Sequence, residues 1–381
     1  MKTEQKKWEK NKGWENISSN NLNNKAQLVL AFGGTDIIDD KKIFNDIKSF
    51  YPKANIVICS TAGEILGTNV SDDTIVLTAM YFEKTKLQFG ETDIKKSEES
   101  FECGKKLIDS LNKKGLCHVM IFSDGLKING SELVRGLDDN LPEKVAVTGG
   151  LVGDGSRFKK TLVGLNSPPV EGKIVIIGFY SKDLKVSYGS LGGWDPFGPE
   201  RVITKSKNNI LYELDGKPAL KLYKEYLGDQ AKGLPGTGLL FPLNVRMKSE
   251  DGEIEVVRTI LAVNEKDYSM TFAGNMPEGA YAKLMKANFD RLIDGAAGAA
   301  SMIKKKMGES QPNLAILISC VGRKLVLKDR TEEEIESVRD VLGSEVAIIG
   351  FYSYGEISPI KPQDTKCRLH NQTMTITTFK E

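Results

Sequence analysis

The stretch LAILISCVGRKLVLKDRTEEEIESVRDVLGSEVAIIGFYSYGEI, residues 314–357, indicates how this chain folds. It opens with the apolar run LAILIS, passes through the loop CVGRKLVLKD, and enters a helix whose residues Ile335, Val338 and Leu342 recur at helical spacing. A second apolar run, VAIIG, follows and ends in the polar phrase SYGEI. Two near-continuous apolar strands joined through a helix are typical of a parallel β-α-β unit buried on both faces.

Two earlier stretches follow the same plan. Residues 28–65 run from LVLAF through a helix to NIVIC and the phrase TAGEI. Residues 118–155 run from HVMIF through a helix to VAVT and the phrase GGLVGDG. Ligands of parallel sheets bind beyond the carboxyl ends of the strands. The polar phrases at these ends are therefore predicted to face a shared ligand site.

The flanking segments complete the predicted fold. Between Leu184 and Gly279 the sequence changes to strand-like alternation, with a helix at PALKLYKEYLG, which predicts a β-rich antiparallel middle section. Residues 1–25 are polar and rich in Asn and Lys, so we expect a flexible N-terminal tail. The predicted fold class is α+β, a mixed α/β arrangement with repeated β-α-β units in the N- and C-terminal parts around that middle section.

Composition excludes several classes of function. The chain has 381 residues, 40% hydrophobic and 27% charged, which is enough for a large core and two domains. Its 53 basic and 51 acidic residues nearly cancel, so neither nucleic acid nor a membrane is an expected partner. The apolar runs are too short to span a bilayer, which favours a cytoplasmic protein. The 5 cysteines form no CxxC pair, so we expect reduced thiols and no zinc site.

Glu64 and Glu356 each follow a glycine where a strand ends. Two interpretations stay open: each carboxylate holds a cationic or ammonium-bearing ligand, or each accepts hydrogen bonds from neighbouring donors. Two interpretations are also open for Arg323, since a guanidinium can clamp a ligand carboxylate or form a structural ion pair. An arginine opposite glutamates would match the two charged ends of an α-amino acid.

Other motifs give weaker signals. GGLVGDG is interpreted as a tight turn rather than a phosphate loop because it lacks the P-loop spacing, but its Asp154 is a carboxylate in the proposed cleft. His118 lies in an apolar strand and is expected to be a core residue. His370 begins a β-run and is either a ligand-binding residue or a hydrogen-bonding group of the strand. The predicted ligand-binding residues are Ser60, Thr61, Gly63, Glu64, Gly150, Asp154, Arg323, Tyr354, Gly355, Glu356, His370 and Asn371.

The phrases CSTAGEI, GGLVGDG, GWDPFGP, NNILYELDGKPAL, SCVGR, GFYSYGEISP and LHNQTMTIT together resemble the FIST sensory family, with its N-terminal and C-terminal halves in order. The resemblance implies a FIST N-terminal domain at 26–200 and a FIST C-terminal domain at 201–381. It also implies a signal-input module for small ligands such as amino acids, with no established catalytic activity. Family members act with histidine kinases, chemoreceptors or cyclic-dinucleotide enzymes.

The predicted function is therefore a cytoplasmic sensor that binds an amino acid or similar metabolite, needs no cofactor or metal, and signals to a separate partner, as in two-component signalling. One alternative is a haem-binding nitric-oxide sensor that regulates a histidine kinase, because some members resembling this family bind haem. His370, in the LHNQT motif, would then be the axial ligand. The other alternative is a carboxylate-based enzyme that uses Asp154 or a glutamate as its base.

Overall fold

The computed structural model describes residues 1–18, 20–249, 252–308 and 310–381. Its strands form four sheets. In chain order the strands are β1 (Lys2–Glu9), β2 (Gly13–Asn16), β3 (Leu28–Gly33), β4 (Asn55–Ser60), β5 (Glu64–Leu66), β6 (Asn69–Ser71), β7 (Ile75–Tyr81), β8 (Lys86–Asp93), β9 (Leu116–Ser123), β10 (Ala146–Leu151), β11 (Val163–Leu165), β12 (Lys173–Tyr180), β13 (Lys185–Leu191), β14 (Asp195–Lys207), β15 (Ile210–Leu214), β16 (Lys217–Pro218), β17 (Leu243–Ser249), β18 (Gly252–Arg258), β19 (Ile260–Asn264), β20 (Ser269–Phe272), β21 (Tyr281–Lys286), β22 (Leu314–Cys320), β23 (Ala347–Ser353), β24 (Gly355–Pro359), β25 (Cys367–His370) and β26 (Met374–Lys380).

The helices lie between these strands. They are α1 (Thr35–Ile38), α2 (Lys41–Phe50), α3 (Ser100–Asp109), α4 (Gly130–Asp138), α5 (Ala219–Leu227), α6 (Phe289–Met307), α7 (Val321–Leu327) and α8 (Thr331–Leu342). Side chains cap several of them: Asp40 accepts a hydrogen bond at the start of α2, and Asn129 does so at the start of α4. Within the described residues, no helix is long and apolar enough to cross a membrane.

Three parallel strand pairs confirm the predicted β-α-β repeat. They are β3 with β4, β9 with β10, and β22 with β23. Each pair belongs to a different six-stranded sheet, and the combination of these mixed sheets with helices confirms the α+β class. One local prediction is wrong: the segment interpreted as the loop CVGRKLVLKD contains α7, whose adjacent residues Val326 and Leu327 are buried in one apolar cluster.

The strand that follows each repeat joins a different sheet. β5 pairs with β23 of the third repeat, β24 pairs with β10 of the second, and β11 pairs with β4 of the first. The three exchanges form a closed ring. The loops that lead into the exchanged strands, including TAGEI and SYGEI, are therefore drawn to one place.

One apolar core lies among these three sheets, with residues contributed by all of them. At its centre Phe32, Phe122 and Phe351 come one from each sheet, with ring centroids 4.7 to 6.3 Å apart. Each fully buried phenylalanine stabilises the fold by about 1.5–3 kcal/mol. Helix α2 packs on the outer face of the first sheet, and α3, α4, α6 and α8 pack on the second and third.

The prediction of a flexible N-terminal tail is wrong for most of residues 1–25. β1 pairs antiparallel with β7 along Lys2–Trp8, and β2 pairs with β1. The polar sequence is compatible with this because backbone hydrogen bonds to β7 on one side and β2 on the other hold β1, while Gln5 donates to Thr78 Oγ1 at 3.0 Å. Residue 19 lies outside the described residues.

The fourth sheet forms the predicted antiparallel middle section. Its order is β18-β17-β21-β14-β15-β20-β19, with β16 beside β15, and it packs with α5 around its own apolar cluster. The domain boundary predicted at residue 200 falls inside β14 and stays a prediction.

Candidate functional site

The strand-end loops of the repeats are hydrogen-bonded to one another. The backbone N–H of Ala62, in TAGEI, donates to Tyr352 O at 2.8 Å, and the N–H of Gly155 donates to Thr61 O at 3.0 Å. These bonds join the first loop to both of the others. The predicted convergence of the polar phrases is therefore present in the structure.

A cleft of about 620 Å³ opens beside these loops. We call it the strand-end cleft. Its walls come from the first loop, the second loop, the segment before β7 and helix α7, and they include Thr61, Gly63, Glu64, Asp72, Arg157 and Lys324. All three repeats thus contribute to one polar cavity.

Two of the three cations that line the cleft, Lys324 and Arg157, have a carboxylate partner, whereas the exposed Lys328 forms no salt bridge with the described residues. Lys324 forms an ion pair with Asp72, and its Nζ also donates to Ala62 O at 3.1 Å. Arg157 donates to Asp154 through Nε at 2.9 Å. Burial alone would raise the pKa of Asp154, but the hydrogen bonds from Arg157 and from backbone N–H groups outweigh it and keep the pKa below its usual value.

Glu64 lies at the floor of the cleft and is almost fully buried. Its Oε1 accepts a hydrogen bond from Thr61 Oγ1, and its Oε2 accepts from the N–H of Thr74 at 3.0 Å and from Thr74 Oγ1 at 2.8 Å. Burial nevertheless raises the pKa of Glu64 to about 7. The carboxyl therefore ties the TAGEI loop to the start of β7 and titrates near neutral pH.

Glu356 repeats this arrangement in the third repeat. Its Oε1 accepts from Ser353 Oγ at 2.6 Å, and its Oε2 accepts from the N–H and Oγ1 of Thr373 at 3.1 and 2.9 Å. Burial raises its pKa to about 8. Unlike Glu64, Glu356 does not line the cleft. Of the two open interpretations, acceptance of neighbouring donors describes both glutamates, and only Glu64 keeps access to a ligand.

The prediction that Arg323 clamps a ligand carboxylate is wrong. Its side chain is 0% exposed, and its Nη2 lies 2.6 Å from Glu334 Oε2. The remaining donors reach the carbonyl oxygens of Gly192, Leu292 and Gln372. No donor is left for a ligand, so Arg323 is the structural ion pair that was its alternative.

Several predicted site residues hold the loops together and do not line the cleft. Ser60 Oγ donates to Gly153 O at 2.7 Å. Gly150 and Gly355 lie in β10 and β24, where a Cβ on Gly150 would come within 2.8 Å of Ile318. Tyr354 stacks on Phe158 with ring centroids 4.3 Å apart.

The predicted haem ligand, His370, is buried and hydrogen-bonded through one ring nitrogen. His370 Nε2 lies 2.9 Å from Ser358 O, so this nitrogen donates a hydrogen bond and has no lone pair for iron. Burial, together with the charges of Arg258 and Arg368, lowers the pKa of His370 to about 4. Its neighbour Asn371 is buried and accepts from the N–H of Thr259 at 3.3 Å.

The remaining metal-ligand candidates behave as expected of core residues. His118 is buried and its Nε2 lies 2.9 Å from Thr148 Oγ1, which confirms the core prediction. Across the described ranges, no group of three or more His, Cys, Asp or Glu side chains is placed to hold a metal ion. The 5 cysteines are free.

Sequence reasoning missed Lys324, Asp72 and Arg157. The signal for Lys324 lay in helical periodicity: successive residues of a helix point about 100° apart, so a buried Arg323 leaves its neighbour facing another direction. Once CVGRKLVLKD is interpreted as a helix, Lys324 becomes the candidate. Asp72 and Arg157 lie in irregular segments whose positions no periodicity predicts.

Comparison with known proteins identifies the family. The FIST N domain matches residues 27–217 and the FIST C domain matches residues 219–359. FIST domains are sensory domains that bind small ligands in signalling, and proteins of this class serve as signal inputs. This chain belongs to the FIST family.

Individual relatives are distant. An uncharacterized protein of Methanocaldococcus jannaschii is 23% identical over 355 residues, which cover 83% of this chain and 66% of that protein, just under two thirds of its length. A crystal structure of cyanuric acid hydrolase from A. caulinodans matches with 6% identity and a TM-score of 0.35, covering 93% of this chain and 90% of that one. Nothing about function follows from a likeness at that level.

Proposed function

We propose that this protein is a non-catalytic sensor whose ligand, an amino acid or a similar zwitterionic metabolite, binds in the strand-end cleft. The observation that carries the proposal is the Lys324–Asp72 pair at the cleft. Lys324 is largely buried, whereas the Asp72 side chain is 66% exposed. An exposed carboxylate that neutralises a buried ammonium can be replaced by the carboxylate of a ligand.

The other end of a zwitterion also finds a matching group. Glu64 offers a carboxyl at the floor of the same cleft, and Asp72, once released, lies beside it. The exchange keeps Lys324 paired and adds no net charge, so the desolvation cost stays small. A ligand with a single charge would leave one of these groups uncompensated.

The release of Asp72 suggests how binding reaches a partner protein. Asp72 lies between β6 and β7, and the N–H of nearby Val70 donates to Glu332 Oε1 on α8 at 3.1 Å. Movement of this segment would change the surface that α8 presents. We propose that a separate protein, such as a histidine kinase, a chemoreceptor or a cyclic-dinucleotide enzyme, detects this change.

A thermal-unfolding screen of the purified protein against the natural amino acids tests the proposal. A ligand at 100 times its dissociation constant stabilises the native state by about 2.7 kcal/mol, enough to raise the midpoint by several degrees. Lys324→Met should abolish the shift. Lys113→Met removes a lysine that is also paired with a carboxylate but lies outside the cleft, so it should leave the shift intact. Equal shifts in both variants, or none with any amino acid, would contradict the proposal.

A second candidate function rests on Glu64 alone. A carboxyl with a pKa of about 7 that lines a cleft is suited to proton transfer, as in a carboxylate-based enzyme. The same screen separates the two, because an enzyme converts the stabilising ligand. Recovery of the ligand unchanged after prolonged incubation favours the sensor, and a product that disappears in Glu64→Gln favours the enzyme.

A further inference from the structure

Besides the paired Arg323, a second arginine is deeply buried, and it has no carboxylate partner among the described residues. Arg258 ends strand β18 and is 5% exposed. Its guanidinium donates to three backbone carbonyls, those of Leu369 at 2.9 Å and of Val257 and Asn275 at 3.3 Å, and reaches Ser131 Oγ at 3.5 Å. It forms no salt bridge with any of the described residues.

An unpaired buried guanidinium is costly, because removing an ion from water is repaid only by an opposite charge or by well-formed hydrogen bonds. The bonds of Arg258 are mostly long, and burial, together with the charge of Arg368, lowers its pKa to about 10. This cost indicates that Arg258 has a functional role, such as binding a ligand, beyond its contacts in the ligand-free chain.

Arg368 adds a second cation to the same place. It lies on β25 and is half-buried, its Nη1 donates to Cys367 O at 3.2 Å, and it too forms no salt bridge within the described part of the chain. Two arginines of like charge repel each other across a short distance. An anion between or beside them would relieve both the repulsion and the desolvation cost.

Both arginines line a groove of about 690 Å³ between α4, the β17–β18 hairpin and β25, which we call the junction groove. Its walls combine charged side chains with apolar ones, which include Val134, Leu141 and Val145 near α4 and Met247, Ile254 and Val256 in the hairpin. A ligand that fills this space therefore needs an apolar body as well as a negative charge.

Acidic groups that line the same groove limit how much negative charge the ligand can carry. Asp139 and Glu143 line the groove, as does Asp138, whose Oδ2 accepts from the N–H of Cys367 at 2.9 Å. Glu132 is occupied by Arg135. These carboxyls would repel a polyanion, which favours a ligand with one negative charge.

We propose that the junction groove binds a small organic monocarboxylate with an aliphatic or aromatic body, its carboxylate held by Arg258 and Arg368. Planar guanidinium groups match a carboxylate in geometry and form paired, charge-assisted hydrogen bonds with it. The site is separate from the strand-end cleft, and the proposal does not depend on the function proposed for that cleft. It gives the sensor a second ligand input where α4 meets the fourth sheet.

Calorimetric titration of the full chain with isovalerate and phenylacetate tests this inference, with isovaleramide and inorganic phosphate as comparison compounds. The carboxylates should bind, and the neutral amide should bind at least about tenfold more weakly, because it lacks the charge that the arginines need. Inorganic phosphate should bind more weakly than either carboxylate, because it has no apolar body.

Variants then assign the site. Arg368→Gln, at a half-exposed position that should tolerate the change, is expected to weaken isovalerate at least about tenfold, and Arg258→Lys should weaken it because the forked geometry is lost. Arg135→Gln removes a groove arginine that is already paired with Glu132, so isovalerate should bind unchanged, as it should in Lys324→Met. The proposal is overturned if neither carboxylate binds, if the amide binds as tightly, if phosphate binds more tightly, or if Arg368→Gln has no effect.

Discussion

The strand-end cleft and the junction groove are similar in volume but differ in how their charges are compensated. In the cleft, Lys324 and Arg157 are paired with carboxylates contributed by neighbouring loops. In the groove, Arg258 and Arg368 form no salt bridge with the described residues, although acidic side chains line the same groove. The comparison suggests that a cavity whose least exposed cation is already paired suits a zwitterion, whereas one whose buried arginines form no salt bridge suits an anion.

The same contrast holds for the two arginines that are most deeply buried. Arg323 is paired with Glu334 behind the cleft, and Arg258 is solvated only by backbone carbonyls and a hydroxyl. The first pair joins α7 to α8 and stabilises the repeat. The second arginine contributes little to the fold that a neutral side chain could not supply.

The largest expected effect on stability comes from breaking the buried ion pair between Arg323 and Glu334. Glu334→Gln leaves Arg323 buried without a counter-charge and should lower the free energy of unfolding by about 3–5 kcal/mol, measured by urea denaturation. Glu336→Gln, on the exposed side of the same helix, is the matched control and should change it by less than about 0.5 kcal/mol. Equal stability of Glu334→Gln and Glu336→Gln would show that Arg323 does not depend on its counter-charge, and Arg323 and Arg258 would then no longer differ in this respect.

The next effect depends on pH. Burial raises the pKa of Glu64 to about 7 and that of Glu356 to about 8, above the ordinary value of 4.5. The folded state therefore holds these protons more tightly than the unfolded state, and the stability they contribute is fully present below pH 4.5 and is lost as pH rises through about 7 and 8.

Glu64→Gln mimics the protonated carboxyl and isolates this contribution. The variant and the parent should be equally stable at low pH, and the variant should be more stable by roughly 3 kcal/mol above pH 8. Urea denaturation across the pH range gives the difference, and taking the difference cancels the titration of the buried histidines. A difference that is constant with pH would show that Glu64 is ionised throughout.

A smaller effect is expected at the corner of the cleft. Gly63 has φ +135°, and a Cβ there would come within 2.4 Å of Lys324 Nζ. Gly63→Ala should cost roughly 1–3 kcal/mol of stability through backbone strain and should weaken amino-acid binding by displacing the ammonium group. Gly236→Ala, at an open position without positive φ, should do neither. Unchanged ligand binding in Gly63→Ala would separate Lys324 from the ligand site.

The smallest expected effect distinguishes the two cavities by salt. Raising the ionic strength screens the attraction between the groove arginines and a monocarboxylate, so isovalerate should bind a few-fold more weakly in about 0.5 M than in about 0.05 M sodium chloride. A net-neutral amino acid in the cleft should be affected less. Equal salt dependence for both ligands would contradict the difference in charge compensation.

The repeats could be predicted from the sequence because their strands are continuous apolar runs and their helices have clear periodicity, as in Ile335, Val338 and Leu342. The exchange of β5, β11 and β24 between sheets could not be predicted, since these strands have only 3 to 5 residues and their partners lie far away in the chain. Strand β1 was missed because a polar strand has no apolar signature.

The candidate site residues also divide into those that the sequence could predict and those that it could not. Glu64 was found because a glycine-glutamate phrase recurred at two strand ends, and Arg323 was misassigned because its segment was interpreted as a loop. Arg258 had a usable signal: in EIEVVR it falls at the two-residue spacing of Ile254 and Val256, which places a charge on the buried face of the strand. A charged residue at such a position marks either a buried ion pair or a ligand site.

The most direct test of the account compares the unfolding free energies of Arg258→Met and Arg323→Met in the absence of any ligand. The account predicts that Arg258→Met is as stable as the parent protein or more stable, because it removes an uncompensated buried charge, whereas Arg323→Met loses about 3–5 kcal/mol by leaving Glu334 unpaired. A comparable loss in both variants would show that Arg258 is as much a part of the fold as Arg323, and would contradict the claim that the two regions compensate their charges differently.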